Sequence, residues 1–150
     1  MDAGWKRSRK PQRDASRPPV KAMHNPPQPV AILLLDASGG LLAGIGVWLA
    51  AGWIAQLYQL PLDAVQGVAA ANLLYGLLAS AVLLWTLQQG HAPKRAVTAL
   101  ALANMLWPLA CLGLLWAYGA DASVFGWLHL ALEAGYVGGL GLYEWRVLRP

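Results

Sequence analysis

Charge, cysteine and histidine are all scarce in this chain, and each scarcity closes off a class of protein. Only 12% of the 150 residues are charged, where a soluble domain carries about a quarter. A soluble helical core also needs a polar stripe along each surface helix, and the long apolar segments have none. A single cysteine, Cys111, excludes an intramolecular disulfide and any Cys-x-x-Cys redox or zinc site. It reads as a small packing residue. Of three histidines, His24 and His91 lie in polar segments, so a bis-histidine haem inside apolar helices is excluded as well. No Gly-x-Ser-x-Gly, His-Glu-x-x-His or phosphate-loop pattern occurs. No cofactor, metal or catalytic residue is expected.

Apolar residues are abundant, at 57% of the chain. They collect in four runs: Val30 to about Tyr58, about Ala64 to Leu87, about Ala96 to Tyr118, and Val124 to Trp145. Crossing about 30 Å of hydrocarbon takes about 20 mostly apolar residues. The expected fold is therefore all-α: an antiparallel bundle of four transmembrane helices over residues 30–150, preceded by a separate tail, 1–29. The basic tail and first run resemble the start of a signal peptide. An apolar signal core runs only about 7–15 residues, however, and this run is much longer. It reads as an uncleaved span.

The basic residues give direction. The tail holds Lys6, Arg7, Arg9, Lys10, Arg13, Arg17 and Lys21 against two acids, Asp2 and Asp14. The other four basic residues are Lys94 and Arg95 in the second connection, and Arg146 and Arg149 at the C-terminus. With four spans, all eleven share one side. The first and third connections contribute only Asp63 and Asp121. Lys and Arg stay cytoplasmic, so both termini are expected inside, in a bacterial plasma membrane. The tail is rich in Pro, Gln, Ser and charge, and cannot bury enough apolar area to offset the entropy of ordering. Disorder is expected there. Its role reads first as a topology determinant, with anionic lipid headgroups as an alternative partner and nucleic acid not favoured.

Boundary residues fit this scheme. Asp63 with Gln66 has capping-box spacing, Pro93 suits a first helical turn, and Asp121 or Ser123 is placed to cap the last helix. Trp53, Trp116, Trp127, Trp85 and Trp145 fall near interfaces, whereas Trp48 and Trp107 lie deeper and read as packing residues. Short connections make consecutive helices antiparallel neighbours. Close approach in lipid relies on small residues: Gly40 and Gly44 on the first helix, Gly135 and Gly139 on the fourth. Packing within the bundle is expected from these pairs, with a homo-oligomer or a membrane-protein partner as the alternative.

A few polar residues lie within the runs. At about 1.5 Å per residue, Asn72, Asn104 and Glu133 each fall about 13–15 Å from a helix start, near one level of the bilayer. His129 and Tyr136 stand four before and three after Glu133, on its face. Pro108 cannot donate to the carbonyl of Asn104, so a kink and a free acceptor are expected at that depth. Asp36, early in the first helix, is a secondary candidate. The heptads Ala71-Asn-Leu-Leu-Tyr-Gly-Leu77 and Ala103-Asn-Met-Leu-Trp-Pro-Leu109 match closely. They sit in helices of opposite direction, in the wrong pairing for a tandem duplication, and read as convergent packing.

The first reading of function is a non-enzymatic accessory or assembly component acting through helix–helix contacts. The second is a small proton-coupled carrier or channel centred on Glu133. A membrane-embedded enzyme ranks third.

Overall fold

The computed structural model describes residues 28–147. The helices are α1 (Gln28–Leu49), α2 (Ala51–Tyr58), α3 (Leu62–Gln89), α4 (Lys94–Tyr118) and α5 (Val124–Val147), with no strand among the described residues. Nearly all of the basic tail, and Arg149, lie outside the described residues.

The first apolar run is not one helix. It divides at Ala50, whose φ of −99° and ψ of 9° leave the helical region. The ladder runs on across the break: Ala50 N–H donates to Gly46 O at 3.1 Å, and Ile54 N–H to Ala50 O at 2.9 Å. No proline marks this site, and these two bonds span the break. α2 ends where Gln59 adopts φ 53°, and Leu60 N–H reaches back to Ala55 O at 3.1 Å. That is a Schellman stop, at a position that usually takes glycine. Gly90 closes α3 with φ 73°, where a side chain would be strained.

The expected capping box is not made. Pro61 is the residue before α3, with no side-chain cap bond; Asp63 already lies within the first turn. Ser123 does cap α5, accepting from Gly126 N–H at 3.3 Å. It also ties α5 to α2: its hydroxyl donates to Leu57 O at 2.7 Å and its N–H to Tyr58 O at 2.9 Å. Those are last-turn carbonyls that α2 cannot satisfy itself.

Two helix pairs dominate the packing: α1 against α3, and α4 against α5. In the first, a Cβ added at Gly40 would meet Gly76 backbone at 2.8 Å, and one at Gly44 would meet Leu73 N at 2.7 Å. In the second, Gly138 receives the Pro108 ring, whose Cγ would lie 2.6 Å from such a Cβ, and Gly141 faces Asn104 and Met105. Gly135 and Gly139, expected in this contact, instead face open space. At 100° per residue they sit on the side of α5 away from its buried line of Gly126, Leu130, Gly141 and Glu144. α3 and α4 are consecutive yet touch sparsely, so a short connection fixed their direction but not their closest partner. The bundle surface is lined with exposed leucines and tryptophans, Leu42, Leu49, Trp53 and Trp116 among them. Trp48, expected to pack inside, is half exposed.

Three helices, not four, are long and apolar enough to cross a membrane: Pro29–Leu49, Leu62–Gln89 and Lys94–Tyr118. α5 has the length, at 24 residues. It falls short in hydropathy because it carries His129, Glu133, Glu144 and Arg146 and five glycines.

Candidate functional site

Polar side chains inside the bundle form two groups. The first surrounds Glu133 on α5. Its Oε1 accepts from Trp107 Nε1 at 3.2 Å and from Asn72 Nδ2 at 3.5 Å. Asn72 also donates to Val68 O, its own helix's carbonyl one turn back, at 3.1 Å. The second oxygen, Oε2, is shielded and makes no hydrogen bond. Its nearest charged-group neighbour is His129 Nε2 at 3.3 Å, out of line for a bond. The His129 ring tilts against Tyr58, with centroids 5.1 Å apart.

The second group joins all four long helices. Asp36 (α1), Asn104 (α4) and Glu144 (α5) are buried to 4%, 4% and 1% exposure, and Tyr75 comes from α3. Asn104 Nδ2 has four oxygens within reach: Tyr75 Oη at 2.7 Å, Asp36 Oδ1 at 3.2 Å, and the Glu144 pair at 3.2 and 3.3 Å. An amide nitrogen has two protons to donate, so those acceptors compete. The Asn104 amide thus gathers the Tyr75 hydroxyl and the Asp36 and Glu144 carboxyls around one nitrogen.

The two groups are cross-connected. In each matched heptad, asparagine and aromatic stand three residues apart, on one helix face. Asn72 of α3 shares Glu133 with Trp107 of α4; Asn104 of α4 meets Tyr75 of α3. The antiparallel heptads thus exchange partners. The residue after each aromatic packs outward in the same manner, Gly76 on α1 and Pro108 on α5.

Both groups border one cavity of about 590 Å³. Asp36, Asn72, Tyr75, Asn104, Trp107 and Glu133 line it. All four long helices contribute to its wall, among them Leu35 and Ala43 of α1, Leu74 and Leu78 of α3, Ala103 of α4, and Leu132 and Leu140 of α5. Leu35, Leu74, Leu78, Leu132 and Tyr136 of this lining are exposed and mark its mouth.

The structure therefore brings Asn72 and Glu133 together, with His129 beside them. Asn104 is not with them. It lies one turn from Trp107, and its amide turns to the other carboxyls. Tyr136 is 70% exposed and lines the cavity without a bond to Glu133. Pro108 stands inside an uninterrupted α4, and Glu133 takes the Trp107 indole rather than the Asn104 carbonyl. Three members of the site, Tyr75, Trp107 and Glu144, escape the sequence reading. The heptad match pointed to the two aromatics. Glu144 follows Glu133 by eleven residues, close to three full turns, and so shares its face.

No family model, curated protein or solved structure matches this chain.

Among the described residues, no Lys or Arg lies within ion-pair distance of Asp36, Glu133 or Glu144; the one pair is His129–Glu133. Two carboxyls on the cavity wall, Asp36 and Glu133, and a third, Glu144, that shares the Asn104 amide with Asp36 have no Lys or Arg beside them and are suited to accept, hold and release protons or a cation.

Proposed function

We propose that the chain is a four-span membrane protein, with both termini cytoplasmic in a bacterial plasma membrane, that works as a small proton-coupled carrier. One observation carries this reading: Glu133, Asp36 and Glu144 border or adjoin a single cavity without a Lys or Arg partner. An ionised residue at mid-bilayer costs about 3 kcal/mol or more on insertion scales. An interhelical hydrogen bond averages about 0.6 kcal/mol. Glue alone is a poor return on three carboxyls, whereas proton exchange requires them. α5 fits as the fourth span because its buried polar residue, Glu144, is met by Asn104 of α4. The one-sided Lys and Arg distribution supports the orientation.

Reconstituted liposomes with an internal pH dye test the carrier. Wild type should dissipate an imposed pH gradient, and Glu133→Gln should stop it while keeping the helical content. Unchanged flux in the variant sinks the reading.

A second reading, an accessory or assembly component, is favoured by Gly135 and Gly139, which offer open space on an outer face of α5. It predicts that wild type crosslinks to another helix and that Gly135→Leu or Gly139→Leu alters the pattern. A monomeric pattern in wild type ends it.

A further inference from the structure

We infer that the cavity between α1 and α5 takes an apolar organic monocation, a lipophilic amine or quaternary onium, entering sideways from the bilayer. This deepens the carrier reading and rests on it. Size comes first: about 590 Å³ lies inside the 300–1,000 Å³ range of small-molecule sites. Charge comes second. Asp36 and Glu133 line the wall, and neither has a Lys or Arg within ion-pair distance among the described residues. An anion would meet only repulsion there.

The hydrogen-bond donors rule out a neutral acceptor such as a quinone. The Asn72, Asn104 and Trp107 N–H groups already point at carboxyl oxygens. A carbonyl ligand would have to displace a carboxyl from its donor. A bare inorganic ion fits no better: the described residues contain no group of three or more His, Cys, Asp or Glu able to hold a metal. The Trp107 and Tyr75 side chains border the same space, and aromatic rings attract cations within about 6 Å. The mouth is apolar, with Leu35 and Leu132 exposed on its two sides. A ligand passing it must itself be apolar outside its charge. Exchange then balances simply: at the Glu133 carboxyl a docked cation and a bound proton exclude one another, one charge for one, the displaced one leaving to water.

Tetraphenylphosphonium tests this, titrated calorimetrically into the full-length protein in detergent, in buffers of different ionisation enthalpy. Expected are saturable binding, about one proton released per cation, and affinity lowered about tenfold or more in Glu133→Gln. Asp36→Asn serves as a second variant should the first unfold, and thermal melting checks both. Triphenylphosphine oxide, neutral and of similar bulk, should bind far more weakly. Equal affinity for the neutral probe, or for wild type and both folded variants, overturns the inference. Liposome flux without phosphonium binding removes the substrate class and leaves the carrier standing. Phosphonium binding with proton release but no flux does the reverse.

Discussion

Asn104 and Trp107 stand one turn apart on α4 and serve different carboxyls: the amide meets Asp36 and Glu144, the indole meets Glu133. One short stretch of one helix thereby holds two acid groups apart. From α3, Asn72 reaches Glu133, while the Tyr75 hydroxyl accepts from the Asn104 amide.

Removing the Asn104 amide leaves two buried carboxyls without their common donor. A buried polar group stripped of its partner costs about 1–3 kcal/mol. Asn104→Leu should lower the melting temperature in detergent by a corresponding amount. Glu144→Leu in that background should cost less than it does alone. Additive losses would show that the two residues do not share a network.

Glycine replacement should divide the two faces of α5. An alanine at Gly138 presses on the Pro108 ring, whose Cγ would lie 2.6 Å from the new Cβ, and such overpacking costs about 1–3 kcal/mol. Gly135→Ala enters open space and should be neutral or stabilising by about 0.5–1 kcal/mol through helix propensity. Paired thermal melts compare them; equal losses would mean the α4–α5 contact is not close.

Gln59 pays a conformational penalty at φ 53°. The left-handed conformation costs an L-residue about 1–2 kcal/mol, partly offset in glycine by a freer unfolded chain. Gln59→Gly should raise stability by up to about 1 kcal/mol in denaturant titration. A loss would mean that the Gln59 side chain contributes more than its backbone strain.

Ser123 links two helix ends through one hydroxyl. Loss of an N-cap costs about 0.5–2 kcal/mol. Ser123→Ala should reach the upper half of that range, because Leu57 O loses its donor too. Faster amide exchange at the start of α5 would locate the effect; exchange unaltered there would contradict it.

Hydropathy alone located most of the helices. α3, α4 and α5 start and end within two residues of the apolar runs, because leaving an apolar helix and reaching a polar connection coincide in sequence. The bend at Ala50 left no such trace: no Pro, charge or turn pair stands there. Depth counting placed Asn72, Asn104 and Glu133 together, and all three line one cavity, but the Asn104 amide bonds Asp36 and Glu144 rather than Glu133. Such a ruler follows backbone rise and ignores side-chain reach. Trp107 and Glu133 extend across a turn, so partnership is decided by direction as much as level. Glu144 was overlooked for a related reason. Near a helix end an acid reads as interfacial, yet the rotation of α5 buries it against Asn104.

The sparse join between the two helix pairs has a consequence for biogenesis. Helices leave the ribosome in order, so α1 and α3 can dock before α4 appears, needing nothing from the second pair. α5 arrives last and is the least apolar of the four long helices. In the proposed four-span arrangement, its acids would enter lipid most cheaply with the Asn104 amide and the Trp107 indole already there to receive them. Under that proposal α4 is the escort of a helix that falls short of membrane-crossing hydropathy by itself.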